Sequence, residues 1–138
     1  MQDGTFSSPG HLDETAPRRG DVFDRDCPTR QLLDRVGDKW SVLILLLLGE
    51  GDMRFNGLKR RIGGISQKML TQTLRELERH GIVHRRDYQE VPPRVEYSLT
   101  RLGASLSDLI RQIEGWVTAN YARMTSVART FEEGSRAG

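Results

Sequence analysis

The sequence predicts a mainly α-helical fold with one small β-hairpin and a long helix at its end. Three observations predict it. Between Gly64 and Thr100 the chain reads as a capped helix, a glycine stop, a basic strand, a proline-proline turn and a second strand. Val42 to Leu48 is an unbroken apolar run closed by Gly49. From Leu102 onward, apolar residues recur at three- and four-residue steps for longer than a small domain's own core requires. Helix, glycine turn, helix and basic hairpin, in that order, make a winged helix-turn-helix.

The elements follow in order. Residues 1–23 combine Gly, Pro, Ser and charge with no apolar period and read as a disordered tail; residues 131–138 read as a flexible one. The folded part is expected over residues 24–130 as one winged helix-turn-helix domain. Pro28 suits the first turn of a helix, where its missing N–H costs nothing. That helix runs to about Val36 and stops at Gly37. Asp38 caps a second helix, Lys39 to Leu48, whose apolar run marks it as the central buried helix. Met53 to Phe55 is a short strand candidate. Asn56 is read as the N-cap of a third helix through Ile62, although Asn-Gly is also a hairpin signal. Gly63-Gly64 turn the chain, and Ser66 opens the next helix, because its hydroxyl can accept from an unpaired first-turn N–H. Gly81 ends that helix in a left-handed residue. Val83 to Gln89 and Arg94 to Leu99 are the two strands, separated by Val91-Pro92-Pro93. Thr100 caps the last helix, along which Leu102, Leu106, Leu109, Ile113, Trp116 and Met124 form one stripe.

The helix after Ser66 carries the functional signal. At about 100° per residue, Met69, Leu70, Leu74 and Leu77 fall on one face, and Lys68, Thr71, Gln72, Arg75 and Arg79 on the other. Such polar side chains can donate to base edges or phosphates. A solvated helix face is the plainer explanation, and the charge map weighs against it. The whole chain carries +2, but residues 53–95 hold ten Lys/Arg against four acids, and residues 1–26 carry −3. A basic block in a near-neutral chain is the footprint of a surface that tracks phosphates. Ser66, Gln67, Lys68, Thr71, Gln72 and Arg75 are therefore the candidates for the major groove. Arg85, Arg86 and Arg94 are candidates on the wing, and Lys59, Arg60 and Arg61 on the DNA backbone. The length of the final stripe argues for packing against a second copy through Leu109, Ile113 and Trp116, where an intrachain core helix is the competing reading.

With 138 residues there is room for one domain with a real core. A single cysteine excludes an intrachain disulfide and points to a reducing compartment. No signal peptide is visible and the longest apolar run is too short to span a bilayer, so a cytoplasmic location is expected. No nucleophile–base constellation, phosphate-cradling loop or Cys-x-x-Cys is present, so no enzymatic activity and no cofactor is expected. His80 and His84 straddle Gly81 without a supporting acid or cysteine cluster, so no metal site is expected either. Trp40 and Trp116 read first as core residues and second as the walls of a ligand pocket. The competing functional classes are a winged-helix protein-interaction module without DNA readout, which would have lost the cationic helix face, and an enzyme or ligand carrier built on a dimer pocket.

Taken together, Cys27-Pro28, Leu33, Gly37, Asp38-Lys39-Trp40, Leu43, Leu47-Leu48, Arg54-Phe55, Gly64-Ile65-Ser66, Leu70-Thr71, Leu77-Glu78, Gly81, Tyr88 and Val91-Pro92-Pro93-Arg94-Val95-Glu96-Tyr97 resemble the HxlR-type regulators, a group of MarR-like winged-helix proteins. The resemblance covers about residues 25–120. Gly57 departs from it, standing where a good helix former is expected, and the acidic first 24 residues lie outside it. The resemblance implies a homodimeric bacterial transcription factor, more often a repressor, on a palindrome-like site. It also implies a redox role for Cys27, since members of the family sense oxidants or electrophiles with a cysteine at this place. A small aromatic ligand near Trp40 and Trp116 is the other effector it implies. A helix N-terminus favours the Cys27 thiolate while Asp24 and Asp26 oppose it, and a half-buried structural thiol is the alternative.

Overall fold

The computed structural model describes residues 21–137, without the side chains of Arg35 and Ala137. The expected tail over residues 1–23 falls almost wholly outside the described residues. The chain divides into two compact units, one ending at Asp38 and the other starting at Lys39. In the first unit, turns over residues 22–26 lead into helix α1, Pro28–Val36. Pro28 takes the position where a missing N–H is harmless. The helix closes as the Gly37 N–H donates to the Leu33 carbonyl at 2.8 Å.

The second unit holds helix α2 (Lys39–Leu48), strand β1 (Met53–Arg54), helices α3 (Phe55–Arg61) and α4 (Gln67–Arg79), strands β2 (Val83–Asp87) and β3 (Val95–Leu99), and helix α5 (Arg101–Ala137). The strands form an antiparallel sheet in the order β1-β3-β2, so the expected hairpin gains a third strand from the short segment before α3. Its register sets Arg54 and Arg86 on either side of Glu96, and Met53 and Arg85 on either side of Tyr97. Tyr97 is buried, so the Tyr97 row faces the core and the Glu96 row faces away from it, as the two-residue period of a strand requires.

Helix α2 is the centre of the core, with Ile44, Leu45, Leu47 and Leu48 buried. It packs against α4, β3 and α5. From α4 come Leu70, Leu74 and Leu77, and from β2 comes Val83. Met69, expected in this stripe, is 38% exposed, and Thr73 is buried in its stead. Met69 lies about 100° from Leu70 around the helix, which is the rim of the face. The Thr73 hydroxyl donates to the Met69 carbonyl at 2.8 Å and so enters the core with its donor satisfied.

Both expected ends of α4 are present. The Ser66 hydroxyl accepts from the Met69 N–H at 3.0 Å, and Gly81 takes φ 74°. The start of α3 differs. Arg54 is its extended N-cap, with no side-chain capping bond, and Asn56 already lies in the first turn. β1 runs straight into α3, so the pairing of Arg54 with Glu96 sets the boundary and no capping side chain does.

Helix α5 begins where Thr100 predicts: its hydroxyl accepts from the Gly103 N–H at 3.0 Å. Gly103, Ser107 and Ile110 are buried, and Ser107 donates to the Leu45 carbonyl at 2.9 Å. Beyond Ile110 the helix leaves the core. It also continues to Ala137, through the segment expected to be flexible from residue 131. Residues 131–137 contain no proline, and Glu, Arg and Ala favour a helix there.

α5 reaches the core because Gly103 lets it. A Cβ there would collide with the backbone carbonyl of Ile82. Gly103→Ala is expected to cost about 1–3 kcal/mol through overpacking, read as a lower midpoint of urea unfolding. Gly115→Ala, whose Cβ would meet nothing within 4 Å, should be neutral or stabilising by up to about 1 kcal/mol. Equal midpoints for the two variants would show that the close approach does not matter.

Candidate nucleic-acid interface

Because α4 buries its leucine stripe, it turns the opposite face outward. Gln67, Lys68, Thr71, Gln72 and Arg75 are all exposed, as is the N-cap residue Ser66. Gln67, Thr71 and Arg75 line a cleft of about 600 Å³ between α4 and the sheet, joined by Glu78 from the same helix, by Arg85 from β2 and by Phe55 and Tyr97. The cleft thus unites three helix candidates with one wing candidate. Lys68 and Gln72 lie outside its lining. A carboxylate, Glu78, enters the same cleft, and no sequence signal separated it from an ordinary solvated acid.

The wing arginines do not act as one group. Arg85 points to the α4 side of the sheet, while Arg86, one residue on, belongs to the Glu96 row on the opposite side. There a compact polar cluster is found. The Arg94 guanidinium donates to one Glu96 oxygen through Nε at 3.2 Å and Nη2 at 3.1 Å. The Tyr88 hydroxyl donates to the other Glu96 oxygen at 3.1 Å. Both Arg94 and Arg86 stack on the Tyr88 ring, 3.9 and 4.4 Å from its centre. Arg94 also approaches Glu90 at 3.6 Å. The turn closing this hairpin contains a cis Val91–Pro92 bond and Gln89 in the left-handed region. Tyr88 and Glu96 were not among the sequence candidates. The signal was present as Arg86-x-Tyr88 and Arg94-x-Glu96, pairs two apart that share a strand face.

These contacts shift ionisation. The bonds from Arg94 hold the Glu96 carboxyl below its ordinary value, with the Tyr88 hydroxyl, Arg94's charge and Arg54 adding to the effect against partial desolvation. The Arg94 guanidinium is raised in turn, first by its bonds to Glu96. On α4, Arg79 is raised by its bonds to Glu76, with Nη2 to Oε1 at 2.9 Å, so this arginine is engaged along its own helix.

Of the backbone candidates, Lys59, Arg60 and Arg61 are exposed at the end of α3. Arg60 lines a second cleft with Arg54, Asn56, Pro93 and Val95, which links α3 to the wing turn. Arg61 lies 3.8 Å from Glu50, both well exposed, a pairing of little energetic weight.

The remaining candidates lie apart. Cys27 is 2% exposed. Trp40 is half-buried with the Lys39 ammonium 4.5 Å above its ring. Trp116 is exposed on α5, where it lines an apolar groove with Met124, Val127 and Phe131; Trp40 does not line that groove. Leu109, Ile113 and Trp116 are 57%, 63% and 60% exposed, so none of them serves this chain's core. Among the described residues, no helix is long and apolar enough to cross a membrane.

The chain is similar to proteins of one family of known regulators. The sequence profile of the HxlR-like helix-turn-helix family matches residues 35–125. The HTH-type transcriptional regulator YtfH of Escherichia coli K12 is 44% identical over 110 residues, covering 80% of this chain and 87% of its own. The solved structure of the transcriptional regulator YtfH from Salmonella typhimurium superposes with a TM-score of 0.75 at 42% identity, covering 80% of this chain and 98% of the other. The redox regulator HypR in its reduced form gives a TM-score of 0.66 at 42% identity over 72% of this chain and 98% of its own.

The depressed Glu96 carboxyl gives a testable pH dependence. A carboxyl held below its ordinary value contributes stability above the ordinary carboxylate range and loses it as pH falls through the lowered value. Glu96→Gln should therefore flatten the acid limb of stability against pH, measured by urea unfolding. An acid limb identical to the parent's would show that the cluster does not couple to folding.

Proposed function

The chain belongs to the HxlR-like helix-turn-helix family, whose members are transcriptional regulators with a DNA-binding helix-turn-helix, and from that premise we propose that it represses transcription as a homodimer on a palindrome-like operator. The observation that carries the reading is the cleft where Gln67, Thr71 and Arg75 meet Arg85, on a helix whose opposite face is locked in the core. In this reading α4 enters the major groove, with Ser66, Gln67, Lys68, Thr71, Gln72 and Arg75 at base edges or adjacent phosphates. The wing supplies Arg85 and Arg86, with Arg94 acting from its turn through the contact with Glu96, and Lys59, Arg60 and Arg61 grip the backbone. A protein-interaction module would not need this exposed cationic face.

Arg75→Ala is expected to cost about 1–3 kcal/mol on a selected duplex by removing a hydrogen-bond donor from a base edge. Arg60→Ala should instead weaken binding to all duplexes alike and flatten the dependence on salt. The measurement is a salt titration of binding to a duplex selected from a random pool and to the unselected pool. Parent-like binding by both variants would mean that the assigned surface is wrong.

The homodimer is supported by the exposed stripe of α5. Leu109, Ile113 and Trp116 continue into Met124, Val127 and Phe131 at three- and four-residue steps, with Asn120 between. A row of that length left to water would be an association surface. Ile113→Glu would place an unpaired charge in the seam and cost several kcal/mol, on the order of a buried unsatisfied ion. It should give a monomer or an unfolded chain that binds no selected duplex. A parent chain that sediments as a monomer while binding specifically would refute the dimer.

Cys27 is the proposed effector site, supported by the likeness to the redox regulator HypR. With one cysteine in the chain, any disulfide it forms must join Cys27 to its dimer mate or to a small thiol. Cys27 is buried, so its turn has to open to react. The two recognition helices of a dimer read half-sites about one helical turn, roughly 34–36 Å, apart, so a small change in their spacing would break the fit. A thiol oxidant should release the protein from DNA, and Cys27→Ser should bind normally without that response. Complete modification of Cys27 with unchanged affinity would contradict this and favour a small ligand near Trp40 or Trp116.

A further inference from the structure

The polar cluster on the outer face of the wing divides labour between its two arginines. Glu96 already accepts three hydrogen bonds, one on one oxygen from the Tyr88 hydroxyl and two on the other from Arg94. The strand register sets Arg86 directly opposite Glu96, where a cross-strand ion pair would be expected. No such pair is found for Arg86 among the described residues. Arg94 is half-buried, with a side chain 34% exposed, and it faces two carboxylates, Glu96 and Glu90. Arg86 is exposed and rests on the Tyr88 ring.

We propose that Arg86 is the wing's phosphate ligand, and that Arg94, Tyr88 and Glu96 are positioning residues that hold it toward DNA. The inference rests on the DNA-binding reading and sharpens it. Arg94 neutralises Glu96, which would otherwise repel phosphate from the middle strand. The stacked ring gives the Arg86 guanidinium a preferred orientation, so less side-chain freedom is lost when it meets an anion. Among the described residues, both carboxylates of the cluster are thus engaged by Arg94, and Arg86 presents its charge from the Tyr88 ring without one.

The test is a pair of double variants bound to an unselected 30-bp duplex pool across a salt series. Arg86→Ala should lower affinity and reduce the slope of log affinity against log salt by about 0.9 for each phosphate it leaves unneutralised. Adding Glu96→Gln to it should not restore the slope. Arg94→Ala alone exposes Glu96 and should weaken binding, but Arg94→Ala with Glu96→Gln should return to the parent slope. Tyr88→Ala should reproduce part of the Arg86→Ala loss, and Tyr88→Phe should recover it because the ring remains. Upfield ring-current shifts of the Arg86 and Arg94 side-chain protons, present in the parent and absent in Tyr88→Ala, report the stack without DNA. The assignment is overturned alone if the parent binds while Arg86→Ala keeps affinity and slope. It is also overturned if Arg94→Ala with Glu96→Gln loses as much as Arg86→Ala. A parent that binds no duplex overturns the DNA reading and this assignment together.

Discussion

The interface depends on one packing contact, the leucine stripe of α4 against α2 and β2. Leu70, Leu74 and Leu77 are all but inaccessible to water, as are Ile44, Leu45 and Val83, which come from the elements they meet. Fully burying a leucine side chain is worth roughly 1.5–3 kcal/mol, so three of them outweigh any preference of the polar face. Turning α4 by one residue, about 100°, would send Arg75 toward the core and a leucine into water. Nothing in the polar face selects its own orientation. It is presented because the apolar face has only one place to go.

A single hydroxyl joins the end of that helix to the rest. Thr100 Oγ1 shares its proton between the carbonyls of Gly81, at 2.6 Å, and Ile82, at 3.1 Å, while accepting from the Gly103 N–H. The end of α4, the start of β2 and the first turn of α5 therefore meet at one side chain. Gly103 brings α5 against the Ile82 backbone at the same point, and Ser107 fastens the next turn to α2. The wing inherits its placement from this junction, because β2 begins two residues after the left-handed Gly81. The distance between α4 and the wing is therefore set by hydrogen bonds outside the candidate interface.

Much of this was legible in the sequence, where local chemistry decided it. Ser66, Gly81, Thr100 and Pro28 each have one physical reason to stand at a helix end, and each does. The polar face of α4 followed from periodicity. What the sequence concealed was decided at a distance. Asn56 looks like a cap, yet the pairing of Arg54 with Glu96 starts α3 two residues earlier. Met69 looks like core, yet the centre of the stripe lies at Leu70 and turns it to the rim. Arg85 and Arg86 look like one basic pair, and only the strand register shows that they serve opposite faces. The Tyr88–Glu96–Arg94 cluster needs both strands in register before it exists at all.

The central claim is that the surface exposed by the α4 stripe, with the wing beside it, meets DNA, and that the far half of α5 does not. Amide chemical-shift mapping of the isotope-labelled protein during titration with a short random duplex at low salt tests this most directly. The account predicts the largest shifts at Gln67 to Arg75 and at Arg85 and Arg86, with Trp116 to Phe131 unmoved. Shifts concentrated on Trp116 to Phe131, or none on α4 at saturating duplex, would contradict it.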